Sequence, residues 1–169
     1  PDFSPGFIDI IRKYGRVGTD GAGGVNSSRP KYRTVGAGGG YMHLAENGDL
    51  IDFAYFYCKV PGSQTVPRSE TWSMITLLRI LRGDFQLTIA VDASYVVDGF
   101  SPDMRQSYLE GSNCDLWKLL YEVWDPLVIK PTILKVSSHL TKHQLNRISY
   151  PVEFAWANEA ADMAAKLIA

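Results

Sequence analysis

The sequence predicts an α/β fold: a mixed five-stranded sheet, three antiparallel strands followed by parallel ones, flanked by helices. Three observations carry that expectation. Residues Ile51 to Val60 alternate in character just after Asn47-Gly48, the pattern of a hairpin strand. Residues Gln86 to Val91 (QLTIAV) are a short, continuous apolar run, which suits a strand buried on both faces and paired in parallel. Between and after these runs, apolar residues recur at helical spacing.

Taken in order, residues 15–24 (GRVGTDGAGG) read as a strand broken by glycines, and Tyr32 to Leu44 as a second, after a basic loop holding Arg29, Lys31 and Arg33. The third strand sets Ile51, Phe53, Tyr55 and Tyr57 against Asp52, Ala54, Phe56 and Cys58. After the Pro61-Gly62 turn, Trp72, Ile75 and Leu78 mark a helix from near Ser69 to Gly83. The run QLTIAV ends at Asp92, and a short helix is expected through Val97. Asp115 to Trp124 is amphipathic and stops at Asp125-Pro126, a helix boundary because the residue before proline avoids the helical region. Thr132 to Val136 supplies the fifth strand, a long loop spans 139–152, and the Ala-rich stretch Glu153 to Ala169 forms a terminal helix. The glycines of Gly36-Ala37-Gly38-Gly39-Gly40 lack the Lys-Ser/Thr of a phosphate loop and read as a strand bulge or flexible turn.

A length of 169 residues allows one domain, residues 1–169, with 1–14 as an N-terminal extension. The absence of any run of about 18 apolar residues argues against a membrane span, and PDFSPGFIDI lacks a signal pattern, so an intracellular site, cytoplasmic or nuclear, is expected. A first residue of Pro rather than Met predicts a piece of a longer polyprotein. Cys58 and Cys114 lie outside any CxxC and are expected as buried, reduced thiols. His139 and His143 form an HxxxH pair without further ligands, a weak basis for structural zinc. The net charge of −1 argues against a strongly basic nucleic-acid binder, yet the charge is uneven. Residues 46–125 carry six bases against twelve acids, while both ends are basic.

Four acids stand where an exposed charge is out of place. Asp92 ends the apolar run, where open α/β sheets put ligand chemistry, although for a lone acid a helix cap is the favoured reading. Asp20 sits in Thr19-Asp20-Gly21 inside a strand, Glu70 opens a helix beside Trp72, and Asp162 is ringed by Ala157, Ala160, Ala161, Ala164 and Ala165. Small residues of that kind let a helix lie close to a sheet, which would press Asp162 against it. Four converging carboxylates would repel one another unless they held hard divalent cations, which prefer oxygen ligands. Without those four acids the formal charge changes from −1 to +3, compatible with a polyanionic substrate.

With these residues in view, the chain resembles a type I ribonuclease H of the kind found alone or fused to reverse transcriptases. The likeness runs from about Gly18 to Leu167 in six ordered pieces: Thr19-Asp20-Gly21, Gln64 to Glu70, Val91 to Val96, Asp115-Leu116-Trp117, Lys135 to His139, and Asn158 to Asp162. It implies a ribonuclease H-like fold and hydrolysis of the RNA strand of an RNA–DNA hybrid, leaving 5′-phosphate and 3′-hydroxyl ends. It implies Asp20, Glu70, Asp92 and Asp162 as ligands of two Mg²⁺ ions, with Mn²⁺ as a substitute, and His139 as an assistant near the scissile phosphate or in product release. Gly21, Arg29, Lys31, Arg33, Arg68, Ser94, Lys142 and Arg147 are the expected nucleic-acid contacts, and Tyr95 is a further candidate. Between Gly99 and Asp115, where several members carry a basic protrusion, this chain offers Asp103, Arg105 and Glu110, which predicts a weak grip and help from a tethered reverse-transcriptase domain. The domain is expected to be monomeric. The alternative is a non-catalytic nucleic-acid-binding or scaffolding module of the same fold.

Overall fold

Alternation along Leu50–Lys59 makes that segment the strand on which the antiparallel half assembles. In the computed structural model, which describes residues 1–24, 26 and 28–169, the strands are β1 (Asp2–Phe3), β2 (Arg16–Ala22), β3 (Gly36–Leu44), β4 (Leu50–Lys59), β5 (Thr88–Val91) and β6 (Thr132–Lys135). They form one sheet in the order β1-β4-β3-β2-β5-β6. From β1 to β2 neighbours are antiparallel; β2, β5 and β6 are parallel. The helices are α1 (Phe7–Tyr14), α2 (Val66–Ile80), α3 (Ser94–Asp98), α4 (Arg105–Leu109) after a 3-10 turn at Pro102–Met104, α5 (Cys114–Trp124), α6 (Lys142–Leu145) and α7 (Val152–Lys166).

The sheet has six strands rather than the expected five. The additional strand, β1, pairs Phe3 with Phe56, and the Ser4 hydroxyl accepts the Tyr55 amide at 2.9 Å. A two-residue strand is too short to show periodicity. Residues 1–14, expected as an extension, pack onto the domain, with Phe7 and Ile11 buried one helical turn apart. That helix had readable punctuation: Arg12 and Lys13 in its last turn, then Gly15 in the left-handed conformation that ends it.

Helices α1, α2 and α5 cover one face of the sheet and share its main core, in which Phe56, Met74, Ile75, Ile89, Leu116 and Trp117 are fully or almost fully buried. Helix α7 covers the other face. The glycine run is neither a bulge nor a turn but the body of β3, whose register irregularity falls later, between His43 and Leu44. A Cβ on Gly38 would lie 2.8 Å from the Cα of Ala165, so the glycine strip lets α7 rest almost on the backbone of the sheet. Cys58 is buried as expected, whereas Cys114, first residue of α5, is exposed. Among the described residues, no helix is long and apolar enough to cross a membrane.

Candidate active site

Strands β2 and β5 pair in parallel with Thr19 opposite Val91, so Asp20 and Asp92 each stand one residue further on, side by side. Strand β2 is also where the sheet passes from antiparallel to parallel pairing, and the carboxyl ends of β2, β5 and β6 share one edge. Such a switch point is where open sheets build ligand sites. Asp20 is opposite Gly38 in register, and so faces α7.

Glu70 arrives from the other layer. Helix α2 crosses β2 at Gly21, where a Cβ would meet the Ser69 hydroxyl and lie 2.7 Å from the Glu70 amide nitrogen. The helix starts at Val66, not near Ser69, because Pro67 fits the first turn, where its missing N–H has no intrahelical partner to lose. Glu70, expected to open the helix, therefore sits more than a turn inside it. One oxygen from each of Asp20, Glu70 and Asp92 lies within 4.8 Å of the other two.

Asp162 comes in on α7, carried by the buried face Ala157, Ala161, Ala164 and Ala165. It stands outside the tight group of three; its Oδ2 accepts Lys166 Nζ at 2.8 Å, one turn along the helix. Its charge still reaches the group, since it raises both Asp20 and Asp92. Burial, then repulsion from Asp92, pushes the Asp20 carboxyl up to about 9, against one favourable hydrogen bond from the Gly21 amide at 2.8 Å. Glu70 is pushed up to about 7 by burial and by Asp92. Asp92 is raised by burial, with Lys135 pulling the other way. At neutral pH the group thus retains protons that a divalent cation would displace. An oxygen-only donor set, crowded and partly withdrawn from water, fits Mg²⁺ or Mn²⁺ and not a soft metal.

The remaining predicted residues divide. Ser94 is exposed at the first position of α3, and Gly21 adjoins both Asp20 and Glu70. Arg29 and Lys31 are exposed on the β2–β3 connection, while Arg33 is half-buried, its Nε without a hydrogen-bond partner among the described residues. Lys142 and Arg147 are exposed on and after α6. Arg68 is not available to a substrate: it is buried, its guanidinium holds Asp115 with two hydrogen bonds of 2.9 and 2.7 Å, and its Nε donates to the Pro61 carbonyl. It anchors α2 to α5 and thereby sets Glu70. Tyr95 is likewise part of the packing, with its hydroxyl accepting the Trp117 indole N–H at 2.7 Å and its ring stacked on Tyr108. His139 is exposed on the loop after β6 and lines a cavity with Asn158 and Glu159 rather than joining the three carboxylates. Two lysines escaped the sequence reading. Lys166 was legible as the i+4 partner of Asp162, whereas Lys135 depends on the β5–β6 register, which sets it opposite Val91.

No protein-family model and no curated protein matches this sequence. Solved structures do. The crystal structure of LC9-RNase H1, a type 1 RNase H with the type 2 active-site motif, aligns over 91% of this chain and 72% of its own, at 19% identity and a TM-score of 0.57. The RNase H domain of PFV, solved in solution, aligns over 90% of this chain and 94% of its own, at 15% identity and a TM-score of 0.53. Prototype foamy virus protease–reverse transcriptase matches over 89% of this chain, with a TM-score of 0.58 and 17% identity, and the chain spans 20% of that longer protein.

Proposed function

We propose that this chain, whose fold is that of ribonuclease H, is a metal-dependent endoribonuclease that hydrolyses the RNA strand of an RNA–DNA hybrid. The observation that carries the reading is the convergence of Asp20, Glu70 and Asp92 at the switch-point edge, with Asp162 beside them. A scaffold gains nothing from carboxylates that burial and mutual repulsion destabilise, and a substrate-free anionic pocket is a poor phosphate site until cations neutralise it. Two bound Mg²⁺ ions, or Mn²⁺ in their place, would supply an activated water and charge neutralisation at the leaving oxygen. The chain's own part is to hold them. Asp20 and Asp92 do so from paired strands, whose register leaves little freedom, and Glu70 from a helix pinned by the Arg68–Asp115 pair. Lys166 keeps Asp162 oriented. Products with 5′-phosphate and 3′-hydroxyl ends follow from water attack at phosphorus with departure of the 3′-oxygen. His139 is the group that would assist near the scissile phosphate or in product release, and Arg29, Lys31, Arg33, Lys142 and Arg147 are the contacts to the polyanion.

The segment 99–114 supports a weak grip by the domain alone, because its Arg105 is spent on Asp125 in a two-bond pair of 2.9 and 2.6 Å. A tethered reverse-transcriptase domain would supply the missing hold. The test is cleavage of a labelled RNA–DNA hybrid beside duplex RNA, duplex DNA and single-stranded RNA, with Mg²⁺ or EDTA, and with Asp92→Asn as control. Cutting confined to the hybrid, dependent on metal and lost in the variant, is the expected result. A folded protein inert at low salt in both Mg²⁺ and Mn²⁺ would overturn the proposal in favour of a non-catalytic module.

A further inference from the structure

The end of β6 carries a cation that the residues assigned so far leave without a role. Lys135 is exposed and has no ion-pair partner among the described residues, whereas Lys166 is held by Asp162, Arg68 by Asp115 and Arg105 by Asp125. Its place is set by register: β5 and β6 pair in parallel with Lys135 opposite Val91, the residue before Asp92. Its direction follows from two hydrogen bonds. The Val136 N–H donates to the Val91 carbonyl at 2.9 Å, and the N–H and C=O of one strand residue point to the same side, so the Val136 carbonyl also faces β5. Lys135 Nζ donates to that carbonyl at 3.0 Å, which holds the ammonium over the end of β5. Strand β6 is an edge of the sheet, and a lysine that only guarded the edge would extend into water. This one turns inward, and its charge is felt at Asp92, where it opposes the upward push of burial.

We infer that Lys135 Nζ binds a non-bridging oxygen of the phosphate next to the scissile one, on the strand being cut. The inference rests on the function proposed above and deepens it by assigning a further substrate-positioning residue. Metal ions held by the carboxylates would neutralise the scissile phosphate. The neighbouring phosphate brings a second negative charge to an edge already occupied by acids, and that charge has to be met by a fixed cation. An ammonium on a flexible stem is a compact point charge suited to phosphate. Lys135 holds only a neutral carbonyl, a bond it can exchange for one to an anionic oxygen, whereas the ionic partners of Lys166, Arg68 and Arg105 oppose the same exchange. Successive phosphates of one strand are neighbours, while those of the other strand lie across a groove, so a cation beside Asp92 meets the strand that Asp92 serves.

The experiment measures kcat and KM on an RNA–DNA hybrid for the wild type, Lys135→Met and Lys135→Arg, and repeats them on hybrids with one methylphosphonate walked along the RNA strand. Each methylphosphonate follows a 2′-deoxy residue, which removes the hydroxyl that would attack it, and is compared with that deoxy residue alone. Lys135→Met should raise KM about 10-fold with little change in kcat, and should reduce the slope of log K against log salt by ~0.7–0.9. Lys135→Arg keeps the charge and should retain most of the affinity. In the wild type, a methylphosphonate at one position beside the cut should raise KM by a similar factor, and in Lys135→Met it should add nothing further, since the partners of one bond are not additive. The side chain is exposed and methionine keeps its stem, so the melting temperature should hold, which separates lost grip from lost folding. A full methylphosphonate penalty in Lys135→Met at every position would overturn the assignment. An unchanged KM with a higher Mg²⁺ requirement would also overturn it, confining Lys135 to its effect on Asp92. Failure of the wild type to cut the parent hybrid would be a different result: it would overturn the proposed function, and this inference with it.

Discussion

Asp20, Glu70 and Asp92 are held closer together than their charges favour, and that opposition has measurable consequences. An Asp carboxyl titrates near 4 in an unfolded chain, whereas Asp20 is pushed up to about 9 and Glu70 to about 7. Between those limits the folded state binds more protons than the unfolded one, so the metal-free protein should lose stability as pH rises from about 4 toward 9. Melting scans in EDTA across that range check the sign. Divalent metal must displace these protons, so calorimetric titration with Mg²⁺ at pH 7 in buffers of different ionisation enthalpy should report proton release, and the Mg²⁺-induced rise in Tm should be larger at pH 8 than at pH 6. Removing one charge acts in the same direction. Asp92→Asn should stabilise the metal-free protein by about 1 kcal/mol while lowering cleavage ~100-fold or more. Arg68 is a different case, since its charge is matched. Arg68→Lys keeps the charge but loses the two-bond fork to Asp115 and the bond to Pro61, and should cost about 1–2 kcal/mol in urea unfolding with weakened metal binding through Glu70.

At the scale of elements, the site depends on how closely helices approach the sheet. A Cβ on Gly38 would lie 2.8 Å from the Cα of Ala165 and 2.9 Å from the carbonyl carbon of Ala164, both backbone atoms that no rotamer change can move. Gly38→Ala should therefore cost about 1–3 kcal/mol as overpacking and should shift Asp162 away from the carboxylates, weakening cleavage more than it weakens hybrid binding. The alanine ring around Asp162 already marked this contact in the sequence, because small residues on a helix facing a glycine-rich strand leave only backbone to meet backbone. The mate of that ring was misread. Gly36 to Gly40 resembled a turn because glycine is depleted in strands, and only the presence of α7 explains why side chains are absent there. Helix α1 illustrates the opposite case: its C-terminal signals were present, but eight residues with two buried positions carry too little periodicity to be read without the core they enter.

For the molecule as a whole, a charge of −1 means that affinity for the proposed hybrid would have to come from local patches and not from the overall field. Lys142→Ala should weaken hybrid binding uniformly across sequences and reduce the slope of log K against log salt by about one phosphate contact, or ~0.7–0.9. The sequence by itself determined the run from β2 to β5 with α2 between β4 and β5, the helices at α3, α5 and α7, the strand β6 and the carboxylate types, because period and turn chemistry are local properties; it missed β1, α1, α4 and α6. It also pointed to Asp162 through its alanines. Only the tertiary structure decided that three of the four acids meet within 4.8 Å while Asp162 stands outside them, that Arg68 turns inward to Asp115, and that His139 lines a separate cavity with Asn158. Those outcomes depend on strand register and on distances between residues remote in the chain, where a shift of a few ångströms decides whether two charges pair, repel or never meet.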